Sequence, residues 1–350
     1  MRVKPSINWL LTFIPITLTL EHTGVPAPYV FFSAALAIVP IASLIVRATE
    51  QVATRTGDAI GGLLNATFGN APELIIAFVA LKAGLLDMVR ASLIGAILAN
   101  ILLALGAAFL LGGLRYRDQD YNPGAARVYS SMMLIAVVSL AVPSAFSRFF
   151  SSAETIRQES LLNTGLALVL LCAYALYLVF MLKTHPGAFA AEGVHDAEEA
   201  AGAHWSLPRA VGSLVGASVL AAWMSEILVG AAEGTGTALG MSQVFIGIVF
   251  VAIVGGAAES LSAIVMARKN RMDMTIGIAL GSSIQIALFV APVLVIAAIT
   301  ALCYVGIHQS ARFNAIVVAI KVTVVIAFIA IGAFYVKTSL WSPLIPAQIP

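Results

Sequence analysis

Charged side chains are scarce in this chain of 350 residues. Asp, Glu, Lys and Arg together make up 10% of it, whereas hydrophobic residues make up 60% and the mean hydropathy is +0.99. Such a composition excludes a soluble globular domain and requires a protein that crosses a membrane several times. The formal net charge of +2 is too small to indicate a nucleic-acid partner.

Cysteine and the motifs of soluble enzymes are also nearly absent. The two cysteines, Cys172 and Cys303, lie in apolar runs without metal-ligand spacing and are interpreted as small core residues. The sequence contains no phosphate-binding glycine loop, nucleophile elbow or zinc signature. We therefore expect neither an enzyme nor a bound cofactor, and an intramembrane enzyme is a remote alternative.

Long apolar runs divide the chain into about ten predicted membrane-spanning helices, so the predicted fold is all-α and polytopic. A bilayer core of about 30 Å requires about 20 helical residues per crossing. The first candidate is short and contains Pro15, and we interpret it as an uncleaved span rather than a signal peptide. The candidate spans are 6–21, 28–48, 57–82, 87–112, 126–143, 157–182, 207–231, 242–267, 273–298 and 311–336.

Basic residues are distributed unevenly between the two sets of loops. With a cytoplasmic N-terminus, thirteen Lys and Arg residues fall on the inner side, five on the outer side, and Lys321 within a span. This bias follows the positive-inside rule and predicts that orientation. The short loops and compact size suggest a bacterial inner membrane. The inner residues are Arg2, Lys4, Arg47, Arg55, Arg115, Arg117, Arg127, Lys183, Arg209, Arg268, Lys269, Arg271 and Lys337, and the outer ones are Lys82, Arg90, Arg148, Arg157 and Arg312.

Two passages of the sequence are copies of one another, and each contains an acidic residue inside an apolar run. Residues 62–89 and 248–275 align at a constant offset of 186 residues, which matches Glu73 with Glu259. A carboxylate in a lipid-spanning helix costs at least about 2.5 kcal/mol, so two in register indicate a functional centre. The other identical pairs are Gly69/Gly255, Ala71/Ala257, Asp87/Asp273, Met88/Met274 and Gly95/Gly281.

The two acidic helices are the third and the eighth predicted spans, so they cross the membrane in opposite directions. Two similar units of opposite topology are typical of secondary transporters, whose site lies at the midplane between the repeats. We therefore predict two inverted-topology repeats. The predicted division is an extra N-terminal span at 1–27, a first repeat at 28–183, an acidic linker loop at 184–206, a second repeat at 207–300 and an atypical C-terminal segment at 301–350.

Oxygen-bearing groups accompany both glutamates. Pro72 has no N–H and cannot bond the carbonyl of Phe68, while the second copy has paired glycines but no proline. A broken helix leaves carbonyl oxygens free to line a cavity or hold an ion. Packing between helices is the alternative role for the polar residues. The candidate cation- and proton-binding residues are Glu73, Glu259, Asn70, Gln285, Ser282, Ser283, Phe68, Gly255, Gly256 and Asn100, with Glu73 and Glu259 as metal ligands.

This inventory consists of hard oxygen ligands and contains no His or Cys. It suits Ca²⁺, which binds about 6–8 oxygens, better than soft transition metals. Two ionised carboxylates at an empty low-dielectric site would repel each other, so protons or a divalent cation must neutralise them. The cation and the protons therefore compete for one site, which is the minimal requirement for exchange.

Three segments resemble the paired signature repeats of the calcium/proton antiporters, the cation/proton exchanger family of the calcium/cation antiporter superfamily. They are LLNATFGNAPELIIAF (63–78), VGGAAESLSAI (254–264) and MDMTIGIALGSSIQIALFVAPVLV (272–295). The resemblance extends from about residue 28 to about residue 297. It implies that Ca²⁺ and H⁺ are the transported substrates and that the two repeat glutamates bind them at the midplane by alternating access.

Two parts of the sequence depart from that family's pattern. Gly256 and Ser260 stand where the second repeat of the family commonly has Asn and His, so a side-chain ligand is missing there. The segment from about residue 301 resembles part of an amino-acid permease instead. The alternatives are therefore an exchanger for Na⁺ or another divalent cation, a non-transporting truncated or chimeric membrane protein, and an amino-acid permease. The oligomeric state stays open.

Overall fold

Every regular element in the described part of the chain is helical, which confirms the predicted all-α class. The computed structural model describes residues 6–56, 64, 67–149, 155–185, 205–306 and 326. The helices, numbered in chain order, are α1 (Phe13–His22), α2 (Ala27–Thr56), α3 (Ala71–Lys82), α4 (Leu86–Leu98), α5 (Leu105–Gly113), α6 (Pro123–Phe149), α7 (Thr155–Val179), α8 (Leu207–Leu239), α9 (Gln243–Gly255), α10 (Ala257–Ala267), α11 (Met272–Gln285) and α12 (Ala291–Gly306).

Six helical segments among the described residues are long and apolar enough to cross a bilayer, and the bent pair α9 and α10 gives a seventh if it forms one span. The first predicted span is a 3₁₀ turn, Ile7–Thr12, followed by the short helix α1. The predicted span at 311–336 lies outside the described residues except for position 326. The total of ten spans therefore stays a prediction.

Helix boundaries recur at the spacing of the sequence copies. α3 begins at Ala71 and α10 at Ala257, while α4 begins at Leu86 and α11 at Met272, each pair 186 residues apart. A short π-helical segment also occurs at the matching place in each copy. Ala99–Ala104 joins α4 to α5, and Ile286–Val290 joins α11 to α12. Widened turns of this kind are frequent at functional sites. The sequence duplication is thus a duplication of structure.

The two long helices that precede these copies, α2 and α8, pack antiparallel. Ala27 at the start of α2 lies beside Gly234 near the end of α8, where an added Cβ would be 2.8 Å from the Ala27 Cβ. At the opposite end, Gln51 Oε1 accepts a hydrogen bond from the Trp205 N–H at 2.9 Å, and the Arg55 guanidinium donates to the Trp205 carbonyl. Equivalent helices that run in opposite directions are the arrangement of an inverted repeat.

Two apolar clusters flank the region between the repeats. The first is formed mainly by α2, α3, α8 and α9, and includes the fully buried Phe31 and Met224. The second is formed mainly by α4 to α7 and α11, and includes Ile284. Val254 belongs to the first cluster and Ala252 to the second, so the end of α9 lies where the clusters meet.

Two glycines bring α4 and α9 into close contact. A Cβ on Gly95 would be 2.7 Å from the Cα of Ile248, and a Cβ on Gly247 would be 2.7 Å from the carbonyl oxygen of Met88. Small residues allow membrane helices to approach at backbone distance. Asn100 follows Gly95 by about one and a half helical turns. The close contact between α4 and α9 therefore places Asn100 near the end of α9.

Candidate functional site

Both glutamates lie in the first turn of a helix that begins at a break. α9 and α10 meet at an angle of 56° with Gly256 between them, and Glu259 is in the first turn of α10. α3 begins after a turn at Gly69 and Asn70, and Glu73 is in its first turn. The break therefore occurs in both copies, including the one without proline. The positive end of each helix dipole then faces a carboxylate, which favours negative charge there.

The carboxylate of Glu73 reaches across to the break in the other repeat. Glu73 is 6% exposed, and its Cγ is 3.2 Å from the position of a Cβ on Gly255. Its Oε1 is 3.9 Å from the position of a Cβ on Gly256. Glu259 is partly buried and interacts electrostatically with Glu73. The two acidic residues thus come from different repeats and lie close enough to repel each other.

A chain of hydrogen bonds connects four amide and hydroxyl side chains beside this pair. Asn100 Nδ2 donates to Ser282 Oγ at 3.1 Å, and Ser282 Oγ donates to Asn70 Oδ1 at 2.8 Å. Asn70 Nδ2 then donates to Gln285 Oε1. Asn70 and Asn100 belong to the first repeat, whereas Ser282 and Gln285 belong to the second, so the chain joins the repeats.

This chain fixes which end of the Asn100 amide faces the glutamates. Its Nδ2 is held by Ser282, while its Oδ1 lies 3.4 Å from the position of a Cβ on Gly256, on the side of Glu73. The absence of a side chain at Gly256 leaves this space open. The amide oxygen of Asn100 is therefore presented to the same small volume as the Glu73 carboxylate.

Four buried side-chain oxygens in the described part of the chain have no hydrogen-bond partner: Glu73 Oε1, Glu73 Oε2, Glu259 Oε2 and Asn100 Oδ1. A buried acceptor left without a donor costs about 1–3 kcal/mol, more when it is charged. All four atoms are acceptors, so a cation or protons would satisfy them and a further acceptor would not. No group of three or more His, Cys, Asp or Glu side chains placed to hold a metal ion occurs among the described residues, so the negative charge beside these oxygens comes from the two glutamates.

The remaining predicted site residues divide into two groups. Gly255 and Gly256 are at the break in the second repeat, and the carbonyl of Phe68 lies just before the break in the first, where Pro72 cannot donate to it. The hydroxyl of Ser283 instead donates to the carbonyl of Ala279 in its own helix at 2.9 Å. Within the described residues, Ser283 therefore makes no bond to the hydrogen-bond chain that joins the repeats, and its role at the site stays a prediction.

Sequence patterns did not indicate two features of this site. The sequence does not mark Gly247, which permits the contact between α4 and α9, because a lone glycine in an apolar run has many explanations. The π-helical segments next to Asn100 and Gln285 carry no sequence signal that we could use. The sequence indicated this part of the two helices only through the polar residues Asn100, Ser282 and Gln285 and the shared offset of Gly95 and Gly281.

Comparison with known proteins gives the family. The model of the sodium/calcium exchanger protein family matches residues 26–183 and 209–346. The chain belongs to the sodium/calcium exchanger family. Its second match in this family extends to residue 346 and so includes the segment from 301 onward. The expected resemblance of that segment to an amino-acid permease therefore gains no support.

Several members of the family are similar to the chain over most of its length. The Ca(2+)/H(+) antiporter of Aphanothece halophytica is 40% identical over 332 residues, covering 91% of this chain and 87% of that protein. The Ca(2+)/H(+) antiporter ChaA of Bacillus subtilis (strain 168) is 42% identical over 275 residues, covering 78% and 77%.

Solved structures of exchangers have the same fold. The structure of native YfkE superposes with a TM-score of 0.71 at 37% identity, covering 84% of this chain and 83% of that one. The H+/Ca2+ exchanger CAX gives a TM-score of 0.62 at 17% identity, covering 85% and 73%, and supports the fold alone. The chain is thus a multi-pass membrane protein of the exchanger fold.

Proposed function

We propose that the chain is a secondary active transporter that exchanges Ca²⁺ for H⁺. Relatives named Ca(2+)/H(+) antiporters share about 40% of their residues with it over most of both chains. The observation that carries the proposal is the group of buried acceptor oxygens without partners, which lies between the two repeats. Such a group binds cations or protons, and it contains no nucleophile with an adjacent base.

The ligands that the geometry favours are the two carboxylates and one amide oxygen. Glu73 contributes two atoms, and Glu259 and Asn100 contribute one each. Ca²⁺ takes about 6–8 oxygens at 2.3–2.6 Å, so backbone carbonyls and water would supply the rest. The backbone carbonyls at the breaks are candidates, among them that of Phe68, which Pro72 cannot bond.

Asn70, Ser282 and Gln285 have a different role in this arrangement. Their hydrogen bonds hold the Asn100 amide with its oxygen towards the carboxylates. Groups that orient a ligand in this way typically change metal affinity by about 10–100-fold when they are removed. These three residues therefore position a ligand in this conformation.

Protons replace the cation at the same atoms. Without Ca²⁺, two adjacent carboxylates in a low-dielectric environment cannot both remain ionised, because they repel each other. With Ca²⁺ bound, both are ionised and the site is close to neutral. At least two protons per Ca²⁺ keep the site close to neutral through each half of the cycle, and a proton gradient then drives Ca²⁺ out of the cytosol.

The orientation and the division of the chain belong to the same proposal. A cytoplasmic N-terminus and a bacterial inner membrane follow from the basic residues and short loops. The first repeat comprises 28–183 and the second 207–300, with the acidic linker loop at 184–206 between them and flanking segments at 1–27 and 301–350.

Uptake of ⁴⁵Ca²⁺ into inverted membrane vesicles under an imposed proton gradient tests the proposal. We expect gradient-dependent uptake by the natural chain and its loss in Glu73→Gln and Glu259→Gln. Glu226→Gln is the control, because that carboxylate lies on the surface, 57% exposed, and pairs with Lys82 at 3.3 Å. Undiminished uptake by Glu259→Gln would refute the mechanism. Uptake that follows a Na⁺ gradient instead would favour the Na⁺-coupled alternative.

A further inference from the structure

A cavity of about 450 Å³ opens beside the loop that follows α5, at one end of the helices and separate from the glutamate pair. It lies between α5, α11 and the start of α6. None of its lining residues belongs to the predicted ion site. The residues that line it are Leu105, Phe109, Gly113, Tyr116, Arg117, Gln119, Tyr121, Ala126, Met272, Ile276 and Leu280.

The cavity is apolar in its depth and polar at its mouth. Its walls follow α5 from Leu105 to Gly113 and α11 from Met272 to Leu280. Each stretch advances eight residues, or about 12 Å along the helix axis. Two tyrosines, an arginine and a glutamine stand at the mouth, and tyrosine is enriched at the membrane–water interface. The cavity therefore extends from the interface into the hydrocarbon region.

Hydrogen bonds to the neighbouring repeat hold the mouth in place. Gln119 Nε2 donates to the carbonyl of Ala267 at 2.8 Å and to Asn270 Oδ1 at 3.2 Å. The N–H of Asn122 donates to Asp273 Oδ1. The loop between α5 and α6 is thus fixed to the turn between α10 and α11, and the mouth is formed without an occupant.

Among the described residues that line the cavity, Arg117 alone is charged. It is exposed and makes no hydrogen bond or ion pair with the other described residues. The acidic residues nearest in sequence, Asp118 and Asp120, are also exposed but do not line the cavity. Further basic residues lie on the same end of the protein, at Arg115, Arg127, Arg268, Lys269 and Arg271.

We propose that this cavity binds an anionic phospholipid of the membrane, with its phosphate at Arg117 and one acyl chain between α5 and α11. A soluble anion would make no contact with the apolar depth of the cavity. A zwitterionic lipid would have a weaker electrostatic attraction to Arg117. Basic pockets between membrane helices on the cytoplasmic side select anionic head groups by this electrostatic attraction. The occupant therefore comes from the inner leaflet.

Native mass spectrometry of the purified full chain, titrated with lipids of identical acyl chains, measures the affinity of the tightest bound lipid. We expect phosphatidylglycerol to bind about fivefold more tightly than phosphatidylcholine, since one arginine near the surface contributes about that factor. Arg117→Gln should remove the preference. Arg268→Gln should retain it, because it removes the same charge from the same end of the protein but does not line the cavity.

A second pair of variants tests the acyl chain. Gly113 lines the cavity next to its mouth and has open space at its Cβ position, so Gly113→Leu should obstruct the path of the acyl chain between α5 and α11 and weaken both lipids several-fold. Gly106→Leu is the control, because Gly106 has the same open space on the same helix but does not line the cavity.

Four results would overturn the proposal. The first is equal affinity of the natural chain for the two lipids, and the second is an equal effect of Arg117→Gln and Arg268→Gln. The third is competition by glycerol 3-phosphate as strong as that by phosphatidylglycerol, which would assign the mouth to a soluble anion. Unchanged lipid binding in Gly113→Leu would likewise exclude the acyl chain from the cavity.

Discussion

At the scale of single residues, two adjacent serines show how similar side chains take different roles. Ser282 and Ser283 are both buried, but Ser282 bonds Asn100 and Asn70 from the other repeat. Among the described residues, Ser283 bonds the carbonyl of Ala279 in its own helix and no group of the other repeat. The sequence does not distinguish them, because both lie in one polar stretch of α11. The packing of the two repeats decides which hydroxyl bonds across to the first repeat.

Ser282→Ala should therefore weaken Ca²⁺ binding, whereas Ser283→Ala should not. Removal of the Ser282 hydroxyl leaves the Asn100 amide free to rotate, so we expect the apparent Ca²⁺ affinity to fall about 10–100-fold with a small change in maximal rate. Initial rates of ⁴⁵Ca²⁺ uptake against Ca²⁺ concentration separate the two quantities. Equal affinities in the two variants would show that the hydrogen-bond chain does not position a ligand.

At the scale of helices, the contact between α4 and α9 depends on the absence of side chains at Gly95 and Gly247. A Cβ on Gly95 would collide with the backbone of Ile248, which cannot move without shifting α9. α9 ends at the break before Glu259. The close contact between α4 and α9 therefore sets how far the second repeat, with Glu259, lies from the first.

Gly95→Leu should destabilise the protein by about 3 kcal/mol or more, because it forces two packed helices apart. Gly106→Leu, on the other end of the same span, should change stability by less than about 1 kcal/mol, since nothing lies near its Cβ position. Thermal unfolding followed by intrinsic fluorescence in detergent compares them. A similar melting temperature for both variants would contradict the close approach.

Local patterns predicted the breaks, but not the contacts across them. Pro72 and the pair Gly255–Gly256 predicted breaks in the two helices, because proline and glycine disfavour a continuous helix. The structure has a turn or bend at both places. The bond from Asn100 to Ser282 joins residues 182 positions apart. Such contacts depend on how two whole repeats pack, which no local pattern encodes.

At the scale of the whole molecule, the equivalent helices α2 and α8 pack antiparallel, which is the arrangement of an inverted repeat. A double variant with Ala27→Cys and Gly234→Cys should form a disulfide on mild oxidation in a background with Cys172→Ser and Cys303→Ser, because these positions adjoin. Ala27→Cys with Gly212→Cys should not, since Gly212 is at the other end of α8. Mobility on non-reducing gels distinguishes them, and cross-linking of the second pair alone would indicate parallel helices.

Coupling between the ion and protons is also a property of the assembled repeats, because each repeat contributes one glutamate. Since protons and Ca²⁺ compete for the same oxygens, the apparent Ca²⁺ affinity should fall as the pH falls. Release of two protons per Ca²⁺ makes the limiting slope about a hundredfold per pH unit, and Glu259→Gln should reduce it to about tenfold because one titrating group remains. Calorimetric titration of the purified protein across a pH series measures the slope. A pH-independent affinity in the natural chain would show that the cation and the protons occupy different sites.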